Sequence, residues 1–349
     1  MRRNKILLIG GSLNQTSMMH AIANALPDCD TFFTPFYSDG FLDYLNKAGL
    51  LDFCPIGDGG PSKRLTVEYI RDQKLPVDYG GLQRPYDLVI TCTDIYVQQN
   101  IRRSRIVLVQ EGMTDPETFM YRIVKKLRLP RYLASTSTYG LSDNYVKFCV
   151  ASQGYRDFFT RKGVNPGKIV VTGIPNYDHL QKYCDNDFPH RGYVLVATSD
   201  ARETYKWDNR KKFIAQCVEI AAGKQLIFKL HPNEKIQRAT REINKYAPGA
   251  LVYSRGPTEA MIANCDTLIT QYSTVVYTGL ALDKNVFSYF DVDELRRLTP
   301  IQNNGTSAEN IARVCRSVMN DPSEALPYPP AFKTKMKSVI SKWAQTLRT

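Results

Sequence analysis

Three stretches in the second half of the chain carry residue types that bind phosphate. His231 and Pro232 follow the apolar run at 226–230. The proline fixes the backbone, so an imidazole there is set to donate to an anion at a strand end. Gln271, Tyr272, Ser273 and Thr274 follow a second apolar run and precede a helix-like stretch at 275–282. Hydroxyls and free N–H groups at such a helix start suit an anion. Thr198, Ser199 and Arg202 follow a third run, where a guanidinium adds charge-assisted contacts. Each turn alone also reads as an ordinary cap or tight turn. Together they point to a phosphate-bearing ligand.

The first half offers carboxylates instead. Thr114 to Glu117 reads as a helix start, with Asp115 as cap and Pro116 at the first helical position. Glu111 has no such role: it stands between Gln110 and Gly112 after the apolar run 106–109. A carboxylate there faces a cleft and can take a proton from a hydroxyl, and a structural role is the alternative. Gly10, Gly11 and Ser12 follow the first apolar run, and Asp94 follows the third. The Gly-Gly-Ser lacks the full dinucleotide-binding spacing and indicates a close turn.

These residues need elements to position them. Strands are predicted at 5–9, 31–34, 87–91, 106–109, 147–150 and 169–172, then at 193–197, 226–230, 251–253, 267–269 and 286–288. Amphipathic stretches separate them, which is the pattern of parallel α/β sheets. Two such series predict two doubly wound, Rossmann-like domains, over 1–178 and 193–325. A polar, proline-punctuated linker at 179–192 joins them, and a tail at 326–349 contains a helix at 333–347. Ligands of such sheets bind outside the carboxyl ends of the strands, where all these polar turns fall.

Composition narrows the function. Apolar residues make up 43% and charged residues 23%, as in an ordinary globular protein. Eight scattered cysteines without a C-x-x-C, and four histidines without ligand spacing, argue against disulfides and a metal centre. No apolar run approaches a bilayer span, so the expectation is a cytoplasmic chain. The 46 basic and 34 acidic residues give a net charge of +12. Nucleic acid is disfavoured because no reader motif is present. Phosphorylated small molecules and an anionic membrane remain. For the membrane, Arg122, Lys125, Lys126, Arg128 and Arg131 predict a weak, salt-sensitive contact.

Two Rossmann-like domains, the His231-Pro232 pair and the Ser/Thr turn before the next helix resemble the GT-B glycosyltransferases. Residues 148–152 and 170–176 resemble the end of the first domain in that superfamily, and 259–286 its donor-side half. Close patterns occur in hydrolysing UDP-N-acetylglucosamine 2-epimerases and in CDP-glycerol glycerophosphotransferases. Bacterial sialyl- and Kdo-type transferases carry an acidic-acidic-Gly motif and a His-Pro motif. Gln110-Glu111-Gly112 and His231-Pro232 resemble these, with glutamine at the first acidic position.

The resemblance implies a GT-B fold with two domains facing each other across a cleft. It also implies sugar transfer from a nucleotide-sugar donor to a glycan or lipid-linked acceptor of a bacterial surface polysaccharide. Direct displacement with Glu111 as base would make that transfer inverting. His231, Arg202 and the 270–274 turn would meet the departing phosphate, with Thr198, Ser199 and Pro232 beside them. Gly10, Gly11, Ser12, Asp94, Gln110 and Gly112 would line the acceptor side. No metal or cofactor is expected, and the tail helix would pack back on the first domain. Polyol-phosphate transfer, nucleotide-sugar 2-epimerisation and non-catalytic nucleotide-sugar binding are the alternatives.

Overall fold

The computed structural model describes residues 2–40, 43–44, 61–83, 85–115, 117, 119–199, 202–203 and 208–321. Pro116, Asp200, Ala201 and the expected tail helix lie outside them. Among the described residues, eleven short strands form two all-parallel sheets. The first comprises β1 (Lys5–Gly10), β2 (Asp30–Pro35), β3 (Leu88–Thr91), β4 (Ile106–Val109), β5 (Lys147–Val150) and β6 (Ile169–Val171). Its order is β2-β1-β3-β4-β5-β6. The second comprises β7 (Val194–Ala197), β8 (Leu226–Lys229), β9 (Leu251–Tyr253), β10 (Thr267–Thr270) and β11 (Asn285–Phe287), in the order β11-β10-β7-β8-β9. Each predicted strand is present, with ends within one residue. The signal is strong because β3, β4 and β7 are buried along their whole length, as strands covered on both faces must be.

The order of connection reverses at β1/β3 in the first sheet and at β7/β10 in the second. Such switch points open a crevice at the carboxyl ends of the strands.

The helices are α1 (Leu13–Asn24), α2 (Pro61–Asp72), α3 (Phe119–Leu127), α4 (Gln153–Lys162), α5 (Arg210–Ala221), α6 (Ile236–Tyr246), α7 (Thr258–Asn264), α8 (Val276–Ala281), α9 (Val292–Leu298) and α10 (Ser307–Asn320). One core lies between the first sheet, α1 and α10. In α10 the buried residues Ala308, Ile311, Ala312, Cys315 and Val318 recur at helical spacing and form the stripe that meets this sheet. Arg105 anchors the end of α10 through the carbonyls of Val318 and Met319, at 3.0 and 2.8 Å. The chain thus returns to the first sheet within 307–320, inside the range expected for the second domain.

α5 and α6 cover one face of the second sheet. A further core runs through both halves, joining Leu7, Val150 and Tyr155 to Leu195, Leu268 and Tyr277. At this seam α4 and α9 come together. Ser152 Oγ donates to Leu298 O at 3.1 Å, and Ile301 N to Ala151 O at 3.0 Å. A Cβ on Gly154 would stand 1.9 Å from Arg297 O, so no other residue fits without moving the backbone.

Candidate active site between the sheets

Glu111 follows β4 and reaches sideways to the start of α1. Its Oε1 accepts from Ser12 Oγ at 3.1 Å and Asn14 Nδ2 at 3.2 Å, and its Oε2 from Gln15 Nε2 at 2.6 Å. The turn before α1 makes this possible. A Cβ on Gly10 would stand 2.3 Å from Thr16 Oγ1, so the helix packs against a bare backbone. Gly11 N donates to Gln15 Oε1 at 2.7 Å, and Ser12 caps the helix by accepting from Gln15 N. Glu111 itself stays half-buried.

The other residues expected on the acceptor side have different tasks. Gln110 is fully buried, donates to Gly112 O at 2.8 Å and accepts from Ala151 N at 2.9 Å, which shapes the loop that carries Glu111. Asp94 is buried too. It pairs with Arg131 at 3.0 Å and accepts from Gly140 N and Ser142 N, so it ties that later segment to the end of β3. Asp115 bonds Thr136 at 2.7 Å instead of capping a helix, and α3 starts at Phe119.

The second sheet ends in a buried polar network. Ser199 Oγ donates to Gln271 Oε1 at 3.0 Å, straight across the β7/β10 switch point. Gln271 Nε2 donates to Asp208 Oδ1 at 2.9 Å. Arg210 pairs with Asp208 at 3.1 Å and Glu234 at 2.7 Å, with all three side chains nearly inaccessible. Thr198 donates to Glu234 as well. Glu234 and Thr198 then accept from His231 N, at 3.0 and 3.1 Å. Asn233 N donates to His231 Nδ1 at 3.2 Å, so a neutral ring carries its proton on Nε2. Pro232 sits on the exposed crest of this turn, which closes through Glu234 N and His231 O at 3.0 Å.

Arg202 stands at the edge of this network, 3.6 Å from Asp208 through its Nε. Both of its Nη atoms engage Glu242, at 2.9 and 2.7 Å. That bond pushes the Arg202 pKa up and the Glu242 pKa down, so the pair is charged and mutually committed. The guanidinium at the centre of the strand-end network is Arg210, which pairs with both Asp208 and Glu234. In the 270–274 turn, Tyr272 is exposed and packs edge-on against Tyr289 and Phe290. The carbonyls of Ser273 and Thr274 accept from Val276 N and Tyr277 N and start α8.

The two strand-end surfaces meet at one point. A Cβ on Gly112 would stand 3.4 Å from Thr274 Cγ2, so the loop after β4 faces the turn after β10. Tyr177 lies here. Burial raises its pKa, a hydrogen bond with Thr274 opposes the rise, and Glu111 and Glu259 add to it. Lys229 ends β8, buried, with Nζ donating to Leu230 O at 3.0 Å. Burial lowers its pKa, against the pull of Glu259 and Glu234. The structure therefore gathers Ser12, Glu111, Gly112 and Thr274 at one cleft, with Tyr177 added.

Sequence reasoning missed Asn14, Gln15, Tyr177, Lys229, Arg210, Glu234 and Glu259. Only Glu234, three residues past His231, carried a local signal. Among the described residues no group of His, Cys, Asp or Glu is placed to hold a metal ion, and no helix is long and apolar enough to cross a membrane.

No protein-family profile matches the chain, and no curated protein matches it in sequence. Solved structures do match. UDP-GlcNAc 2-epimerase from Neisseria meningitidis, bound to UDP-GlcNAc, is similar over 90% of this chain and 100% of that one, with TM-score 0.53 and 12% identity. The Methanocaldococcus jannaschii UDP-GlcNAc 2-epimerase, in complex with UDP-GlcNAc and UDP, covers 90% and 99%, with TM-score 0.51 and 13% identity. S. aureus MnaA, solved with UDP, covers 92% and 90%, with TM-score 0.52 and 13% identity. At such identity the likeness is one of fold. The chain is an α/β protein of two Rossmann-like sheets with the GT-B fold.

Proposed function

We propose that this chain is a nucleotide-sugar-dependent glycosyltransferase whose reaction takes place where Glu111 and Thr274 face each other. The observation that supports this reading is the Glu111 carboxylate. It is half-buried, oriented by three side-chain donors, and opposed by the second sheet's hydroxyl-rich turn. Such a group is placed to take the proton of an acceptor hydroxyl as that oxygen attacks the sugar's anomeric carbon. The leaving phosphate gains charge as the glycosidic bond breaks. His231 Nε2–H and the hydroxyls of Ser273 and Thr274 are the donors for it. Thr198, Ser199 and Gln271 act one step back by holding these turns in place. Attack opposite the leaving group inverts the anomeric centre. The acceptor is a glycan or lipid-linked saccharide of a bacterial surface polysaccharide, and the reaction is cytoplasmic, at the inner face of the membrane.

A nucleotide-sugar 2-epimerase is the second reading. Glu259 favours it, because its charge, like that of Glu111, is felt at Tyr177, which would offer a second carboxylate for proton transfer. One experiment separates the two. Thermal shift with CMP, CDP, UDP and GDP compounds finds the donor class, and nucleotide release is then measured with and without candidate acceptors. Release that requires an acceptor supports transfer, and acceptor-free turnover of the sugar supports epimerisation. No shift with any nucleotide compound overturns both.

A further inference from the structure

α3 buries only one of its faces, against the segment Arg131–Thr138 that follows it. Tyr121 and Val124 are buried, in a small cluster with Ala134. At 100° per residue, Phe119, Arg122, Ile123, Lys126 and Leu127 fall on the opposite side. Phe119 is 78% exposed and Leu127 62%. Met120, Leu129 and Leu133 are exposed nearby. Singly exposed apolar residues are ordinary, but five within one fifteen-residue stretch form a patch that calls for a partner.

The charges on this stretch divide into two sets. Lys125 Nζ donates to Lys162 O at 3.0 Å, and Arg131 is held by Asp94. Both belong to the fold. Arg122, Lys126 and Arg128 are exposed, and no ion pair among the described residues involves them. The nearby acid Glu117 acts on Lys162.

We propose that the outer face of α3, with the turn to Leu133, docks on an anionic lipid bilayer. Phe119, Leu127 and their neighbours would enter the headgroup region while Arg122, Lys126 and Arg128 meet lipid phosphates. Interleaved cations and bulky apolar groups on a convex helix suit a soft anionic surface. The net charge of +12 has the matching sign. Bilayer binding is read without turnover, so its failure and a failure of the proposed reaction are separate results.

The test is co-sedimentation of the full chain with vesicles of phosphatidylcholine, alone or mixed with phosphatidylglycerol, at low and high salt. Binding is expected only with phosphatidylglycerol, and to weaken with salt. Arg122→Gln with Lys126→Gln should lower the partition coefficient roughly 30-fold, at ~1 kcal/mol per basic residue. Phe119→Ser with Leu127→Ser should lower it about tenfold or more. Lys125→Gln should bind as wild type does. The replaced side chains in both pairs are exposed, and unchanged thermal unfolding verifies folding. Absent binding, equal binding to neutral vesicles, or wild-type binding by both pairs overturns the proposal. So does vesicle-free sedimentation lost with Phe119→Ser and Leu127→Ser, which would assign the face to self-association.

Discussion

The hydroxyls of Tyr155 and Tyr277 meet at 2.6 Å in the buried seam between the two sheets. Tyr155 belongs to α4 of the first half, and Tyr277 to α8, just after the turn that holds Thr274. The bond therefore helps set how the Glu111 loop and the 270–274 turn face each other. Tyr277→Phe should destabilise the protein by about 1–3 kcal/mol, because one buried hydroxyl is left without its partner. The double change to phenylalanine should cost less than the sum of the single changes. Urea unfolding of the four proteins measures both, and strict additivity would mean that the hydroxyls do not interact.

Glu111→Gln should keep donor affinity and lower turnover by roughly 10²–10⁴-fold. The amide retains much of the shape but cannot take the proton. Steady-state kinetics with a saturating donor gives the answer. Turnover close to wild type would place the base elsewhere, with Glu259 the next residue to test.

His231→Ala should weaken binding of the donor nucleotide more than it weakens folding. The backbone N–H of residue 231 still reaches Glu234 and Thr198, so the turn persists without the ring. Calorimetric titration beside a thermal melt separates the effects. A variant that melts early yet binds nucleotide normally would mark the imidazole as structural.

Glu234→Ala removes a partner shared by Arg210, Thr198 and His231 N. A buried guanidinium left with Asp208 alone should cost about 3–5 kcal/mol, since a buried charge is poorly tolerated without its counter-ion. Chemical unfolding measures it. A loss below about 1 kcal/mol would show that solvent reaches Arg210.

Lys162 is buried beside the rings of Tyr121 and Phe158, with Nζ donating to Ser137 O at 2.6 Å. Burial pushes its pKa down to about 8. An unfolded chain titrates this group near 10.4. Below pH 8 both states are protonated, and the folded state bears the whole cost of the buried charge. Between about pH 8 and 10.4 the unfolded chain binds more protons, so this group's contribution to stability rises with pH. Unfolding free energies of wild type should climb relative to Lys162→Met by roughly 2–3 kcal/mol across that window. Parallel curves would show that Lys162 titrates normally in the folded state.

The sequence alone determined the strands and the position of the polar turns. A run such as Ile-Val-Leu-Val at Ile106–Val109 is short, β-branched and wholly apolar, so only a strand covered on both faces satisfies it. The turn that follows is then polar because it reaches the edge of the core. Glu111, His231 and Thr274 were legible on that ground. Their partners were not. Glu111 takes its three donors from residues 96 to 99 positions upstream, and Asp94 meets Arg131 37 positions on. Arg202 and Arg210 look alike in sequence, yet Arg202 turns both Nη atoms to Glu242 and touches Asp208 only at 3.6 Å, whereas Arg210 bonds Asp208 and Glu234 together. The return of α10 to the first sheet was equally hidden, since its apolar stripe would suit either core. Local pattern states which residues must be buried or left polar. Which distant group meets each of them is decided by sheet order and packing, and tertiary structure alone contains that.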